Sequence, residues 1–187
     1  MAAEQTEWNQ SRQWKRINEM RIVNWNVHTL YRVGAMNELV KEMGKYKIDI
    51  YALQDIVARE RNCDKKKNYM ILYSVHDERE FGTGFYISRH MHNLLDFAPV
   101  SERICKIKVK LTYYNLTLIS THAPTEEKLE VVKEEFYSSL EKVCVAVPND
   151  DMKTLLGNFS AKVGKESYLY PACGGYSLHN KTNDNGK

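Results

Sequence analysis

Four apolar runs in this 187-residue chain end in side chains that could do chemistry. They are Asn26 after RIVNW, Gln54-Asp55 after IDIYAL, His122 before Ala123-Pro124, and Asn158-Phe159-Ser160 after TLLG. Asp55 offers a hard anionic oxygen of the kind a divalent cation accepts. Asn158 can exchange hydrogen bonds but has no carboxylate to take a proton. Each residue alone has a plainer reading, and for Asn26 that is a turn asparagine capping the next segment. Gathered on one edge, the four ends specify more than any one of them.

The elements that must position them follow from periodicity. In Arg21 to Val27, Val23, Trp25 and Val27 fall on one face and Ile22, Asn24 and Asn26 on the other, a strand pattern. Met36, Leu39, Val40 and Met43 recur at helical spacing within residues 34–47, so that helix packs on a sheet and its methionines are core. Ile48 to Leu53 makes the next strand. A strand–helix–strand unit of this length predicts a crossover that brings Asn26 and Asp55 to one edge, where open sheets place their chemistry.

Further strands are expected at Tyr69 to Ser74, Phe81 to Ser88, Leu94 to Val100, Arg103 to Val109 and Tyr113 to Thr121. Gly82 and Gly84 suggest close backbone approach. Cys105, Ile107 and Val109 alternate with Lys106, Lys108 and Lys110, so one side of that strand is wet. Pro124 stops the ladder, and Thr125 is expected to cap a helix running to about Val145. Its expected buried stripe is Leu129, Val132, Phe136, Leu140 and Val143. Met152 to Gly164 reads as a buried strand leading to the rim of a site, and Lys165 to Lys187 as loop. The charged run Arg59 to Asn68, with Lys65 to Lys67, reads as a solvated loop, a phosphate-contacting loop being the lesser reading, and His76 to Glu80 as a polar turn.

Composition narrows the class. Charged residues make up 27% and hydrophobic ones 43%, and the net charge is +3, which neither requires nor opposes a polyanionic partner. The length allows one domain with a real core, expected over residues 21–187 behind a polar leader at 1–20. Cys63, Cys105, Cys144 and Cys173 are scattered without a CxxC pair, which argues against structural zinc and for an intracellular protein. No apolar run is long enough to span a bilayer, so no membrane association is expected.

The motifs NWNVHTLYRVGAMNELV, IDIYALQDI, EFGTGFYIS, ERIC, HAPTEEK, EEFYSSLEKV, LLGNFSAKVGKE and TNDNG, in that order, resemble the endonuclease/exonuclease/phosphatase family. Within it they are most similar to the endonuclease domains of non-LTR retrotransposons. The resemblance spans about residues 20 to 187. It implies a four-layered α/β/β/α sandwich of the DNase I-like type, with Mg²⁺ (or Mn²⁺) as cofactor and DNA or RNA as partner. It also implies phosphodiester cleavage. The family's strand-end asparagine matches Asn26, with a catalytic and metal-binding role. Its metal-binding glutamate falls on Asp55, and its strand-end Tyr or His on His122. Its GDFN motif falls on Gly157-Asn158-Phe159-Ser160. Arg103 matches a position that stands near phosphate, although an ion pair with Glu102 or another acid is an equal reading.

The departures carry the functional expectation. Asp55 is one methylene shorter than glutamate. Asn158 replaces the aspartate that helps activate water, where general-base help is worth about 10²–10⁴-fold. Ser160 is too short to copy the asparagine that contacts phosphate. The family's later Asp-His motif has no counterpart, and His179 in SLHN does not match it. The sequence therefore predicts a C-terminally truncated domain lacking its last strands, with an exposed sheet edge. Four readings follow. They are a domain that has lost most or all cutting, a weak Mg²⁺-dependent endonuclease, a non-catalytic module binding nucleic acid or protein, and a fragment without selected function.

Overall fold

The computed structural model describes residues 20–27, 35–56, 62–74, 82–89, 91, 93–174 and 176–187. The expected leader (bar Met20) and the expected turn at His76 to Glu80 lie outside them. Among the described residues, nine strands form two sheets. In the first, β1 (Ile22–Asn26) runs parallel to β2 (Ile50–Ile56), with helix α1 (Ala35–Met43) between them in the chain. This is the crossover that the spacing demanded. The sheet continues antiparallel through β5 (Gly82–Ser88), β4 (Tyr69–Ser74) and β3 (Asn62–Lys65). The second sheet has the order β6 (Leu94–Ser101), β7 (Ile104–Lys110), β8 (Asn115–His122) and β9 (Met152–Asn158). There β8 and β9 are parallel, joined by helix α2 (Glu130–Val145).

Period-two alternation sorts the side chains into layers. Ile50, Ala52, Phe85, Ile87, Cys105, Ile107 and Leu118 fill the space between the sheets. The opposite face of the first sheet packs Tyr51, Leu53 and Tyr86 against Leu39 and Met43 of α1. The outer face of the second sheet packs Ile104 and Ile119 against Phe136, Leu140 and Val143 of α2. The result is the α/β/β/α sandwich. Each wholly buried side chain such as Phe85 or Leu118 contributes on the order of 1.5–3 kcal/mol. Gly84 marks a close approach, since a Cβ there would collide with the Leu72 carbonyl.

Several expectations need correction. Helix α2 begins at Glu130, not at Thr125, and its cap residue Leu129 makes no side-chain cap bond. Residues 125–128 instead close a turn, with Lys128 N–H on the Thr125 carbonyl at 3.0 Å. Leu129 and Val132 face solvent, and the buried stripe is Lys133, Phe136, Leu140 and Val143. A stripe drawn from apolar type alone misses that a lysine stem can be buried while its ammonium pairs with Glu130 at 2.9 Å. Lys65 sits in edge strand β3 rather than a loop, and Lys65 to Lys67 are exposed. Strand β9 is the edge of its sheet, with Met152 and Leu155 exposed, so it is not the buried strand its apolar run suggested. The stretch read as loop after Lys165 contains a 3₁₀ turn at Ser167–Leu169 and one helical turn, α3 (Tyr170–Cys173).

Candidate functional site

The C-terminal ends of β1 and β2 meet first. Asn26 is the register partner of Gln54, so Asp55 lies one residue further along the neighbouring strand. On its other side, β2 pairs Gln54 with Thr83 and Ile56 with Gly82. Asp55 is thus the extra residue of a bulge, a device that re-aims one side chain. Its φ is +61°. A left-handed backbone costs an L-residue roughly 1–2 kcal/mol, and Asp is among the residues that tolerate it best. Asp55 is half-buried.

The second sheet supplies the other half. Parallel pairing sets His122 beside Asn158, and Ala123 N–H donates to the Asn158 carbonyl at 2.8 Å. His122 is buried. Arg103 reaches the same place: its Nη1 donates to the His122 carbonyl at 3.2 Å, and its own carbonyl accepts His122 N–H at 2.9 Å. Beyond β9 the chain turns sharply. Ser160 has φ +49°, and its N–H donates to Asn158 Oδ1 at 3.0 Å. The Asn158 amide therefore shapes the loop. Asp55 and Ser160 are the two non-glycine residues with positive φ among those described, and both stand at positions where the chain departs from the family motifs.

Hydrogen bonds stitch the halves together. Asn24 Nδ2 donates to the Gly157 carbonyl at 3.1 Å. Gln54 Nε2 donates to Asn24 Oδ1 at 2.8 Å and to Ser120 Oγ at 3.1 Å, while Ser120 Oγ donates to the Leu53 carbonyl at 3.2 Å. With residue 24 against 157 and 54 against 120, the ends bearing Asn26, Asp55, His122 and Asn158 share one edge. Asn24 and Ser120 escaped the sequence reading, because a polar residue within a strand gives no local sign of its partner on another sheet.

The TNDNG segment, which the sequence placed among the family motifs but read only as loop, pins the loop after β9. Thr182 N–H and Oγ1 both donate to Glu166, at 2.8 Å each, and Gly164 N–H donates to Thr182 Oγ1. The Thr182 backbone N–H, followed by its hydroxyl, holds the Glu166 carboxyl below the usual carboxylate range. Asn183 Nδ2 donates to Glu126 and to the Ser160 carbonyl, and Asn185 Nδ2 to the Pro124 carbonyl. A groove of about 1190 Å³ opens beside Asn158 and Ser160, lined also by Lys133, Tyr137, Lys162, His179 and Lys187. His179, which matches no family motif, thus stands on the groove wall.

Asp55 and Asn26, one residue apart in the β1–β2 register, both carry oxygen donors of the kind that Mg²⁺ or Mn²⁺ takes. No group of three or more His, Cys, Asp or Glu gathers around an ion among the described residues. By donor type, the residues present suit a divalent cation.

No protein-family model matches the chain. It is 24% identical over 149 residues to craniofacial development protein 2 of Bos taurus, a match covering 78% of this chain and 25% of that protein. The chain therefore spans about a quarter of the length of the curated relatives it matches. Solved structures share its fold, among them the following two. One is TDP2 of D. rerio complexed with single-strand DNA product, at TM-score 0.59 and 15% identity, covering 84% of this chain and 66% of that one. The other is the endonuclease domain of TRAS1, a telomere-specific non-LTR retrotransposon, at TM-score 0.56 and 16% identity, covering 90% and 66%. The fold is that of endonuclease/exonuclease/phosphatase, or DNase I-like, proteins.

Proposed function

We propose that this chain, which has the fold of the endonuclease/exonuclease/phosphatase family, is a nucleic-acid-binding domain of nuclease descent whose phosphodiester cleavage is impaired or lost. The reading takes residues 21–187 as one domain and an intracellular setting for its scattered thiols. The observation that carries it is Asn158. It stands beside His122 in the β8–β9 register, and its Oδ1 accepts the Ser160 N–H. A neutral amide cannot take a proton from water, and a carboxylate so placed would be worth about 10²–10⁴-fold.

The remaining groups keep the means to hold a phosphate. Asp55 and Asn26 would hold the divalent cation, which when bound would offset phosphate charge. Arg103, fixed on the His122 carbonyl, would present its guanidinium to a phosphate oxygen. Ser160, short and held by its backbone N–H, offers a hydroxyl in place of a reaching amide. Two neighbours support nucleic acid as the partner class: the D. rerio TDP2 structure is complexed with single-strand DNA, and the TRAS1 structure is an endonuclease domain.

The test is supercoiled plasmid incubated with Mg²⁺ or Mn²⁺, beside an Asp55→Ala control. The expected result is no nicking above the control, together with DNA affinity that falls as salt rises. Metal-dependent nicking that vanishes in Asp55→Ala overturns the impaired reading. An affinity indifferent to salt overturns nucleic-acid binding through phosphate.

A further inference from the structure

We propose that two copies of this chain pair through β9, antiparallel about a two-fold axis at Leu155. Each copy then sets its Met152 and Lys153 against the other's strand end, the one that carries Asn158. The inference goes beyond the proposed function and does not depend on it. It starts from where β9 directs its backbone. Ala123 N–H donates to the Asn158 carbonyl, and parallel pairing sets His122 beside Asn158. Successive residues of a strand turn their N–H and C=O groups to opposite sides. Thr154, Leu156 and Asn158 therefore bond to β8, while Lys153, Leu155 and Gly157 turn theirs outward. The Gly157 carbonyl has the expected direction, since it accepts from Asn24 on the other sheet. Among the described residues, no further strand pairs with that outward side.

The other sheet edges are blunted and this one is not. Strand β6 carries Pro99 and two register shifts. Strand β3 is four residues long and includes Asp64 and Lys65, and β1 is five residues long with two asparagines. Proline, irregularity, charge and brevity are how natural sheets discourage a further strand. Strand β9 instead runs for seven residues in unbroken register with β8. Its one charge, Lys153, is drawn back onto α2, where Nζ donates to the Cys144 carbonyl at 2.8 Å. Met152 and Leu155 are 54% and 40% exposed, so the edge is apolar as well as open.

Register and charge select a second copy as the occupant. A two-fold axis uses the same patch on both sides, which for strands means antiparallel pairing. With the axis at Leu155, the outward-turned residues meet one another. Leu155 N–H donates to the carbonyl of the partner's Leu155, and Gly157 N–H to that of the partner's Lys153, each bond reciprocated. No like charges oppose, because each lysine falls across from a residue with no side chain. Gly157 lines the groove together with Glu130 and Glu134. Glu130 is held by Lys133, whereas Glu134 is exposed and has no ion pair among the described residues. The partner's Lys153 thus arrives beside an unengaged carboxylate. On the opposite face the partner's Met152 falls across from Asn158, which covers an exposed thioether.

The test is analytical ultracentrifugation of the full chain over a concentration series, without nucleic acid. The expected result is a reversible monomer–dimer equilibrium. Leu155→Pro spares the β8 ladder, since the N–H it deletes points outward. It removes two bonds between copies and weakens the dimer at least about tenfold. Leu155→Lys sets like charges face to face across the axis and is expected to leave a monomer. Lys153→Glu and Glu134→Lys each weaken the dimer about fivefold, the effect of two exposed pairs per dimer. The double swap Lys153→Glu/Glu134→Lys restores it to within about twofold of the unsubstituted chain. Circular dichroism checks that each variant is folded, and the charge swap keeps the proposal testable where the proline is not tolerated. A chain that stays monomeric up to about 0.5 mM overturns the proposal. A dimer untouched by both Leu155 substitutions also overturns it, by placing the contact on another surface. Growth past the dimer does the same, since a two-fold contact closes on itself. Failure of the double swap to rescue overturns the register.

Discussion

Asn24 reaches from β1 across the sandwich and donates its Nδ2 to the carbonyl of Gly157, at 3.1 Å, one residue before Asn158. The contact joins the edge strand β1 of one sheet to the edge strand β9 of the other. The other end of the same amide, Asn24 Oδ1, accepts from Gln54 Nε2, so the spacing of the two half-sites is held by polar contacts rather than by apolar packing alone. Three predictions follow from how that edge and its support are built.

Ser120 is the buried end of this polar line: it accepts Gln54 Nε2 and donates to Leu53. Ser120→Ala removes both bonds and leaves a buried carbonyl without its donor. The expected loss is about 1–3 kcal/mol, read as a lower urea midpoint with an unchanged slope. A midpoint that does not move would show that the sheets need no polar registration.

Gly157 lies where β9 presses on β8. A Cβ there would meet the Thr121 carbonyl, which is backbone and cannot rotate away. Gly157→Ala therefore pushes the edge strand outward, at a cost of about 1–3 kcal/mol. The Asn24 contact to this same residue is strained in the process. Limited proteolysis checks the site of the damage, with new cutting expected around residues 157–164. Unchanged stability and cutting would mean that β9 is more loosely seated than its register implies.

Asp151 stands at the far end of the second sheet, where β9 begins. Lys108 Nζ lies 2.7 Å from its carboxylate, and Asn115 and Thr117 also donate to it. The Lys108 hydrogen bond is the largest influence holding its pKa below the ordinary carboxylate value, ahead of an opposing desolvation. The folded state thus binds this proton less readily than the unfolded chain. Its contribution to stability is complete above the ordinary aspartate pKa and is lost as pH falls through the depressed one. Asp151→Asn is expected to lower the thermal midpoint at neutral pH and to flatten its fall under acid. Glu166 and Asp184 are also depressed and keep part of that fall. Parallel acid curves for the two proteins would remove Asp151 from the account.

Much of the sandwich was legible in the sequence because its layers obey local rules. Val23, Trp25 and Val27 turn toward α1 and Ile22 turns inward, as alternation required. Cys105, Ile107 and Val109 are buried while Lys110 is exposed. The parallel pairing of β1 and β2 followed from the length of the helix between them. Strand-end positions for Asn26, His122 and Asn158 needed no more than the end of each apolar run.

What local pattern could not supply is anything set by two distant segments at once. The start of α2 moved to Glu130 because residues 125–128 close their own turn. The exposure of β9 depends on its place at the end of the order β6-β7-β8-β9, and an apolar run reads alike in a central strand and at an edge. The bulge at Asp55 exists because β2 is matched against β5 on one side and β1 on the other. The turn at Ser160 is held by Asn158 and, through Asn183, by a segment more than twenty residues away. The sequence by itself determined the layers, the strand ends and the chemical types at the shared edge, since these rest on periodicity and residue identity. Only the tertiary structure decided that Asn24 meets Gly157, that Gln54 meets Ser120 and that Asp55 is turned out of its ladder. Those facts depend on how two sheets register, and registration is a property of the packed pair rather than of either strand.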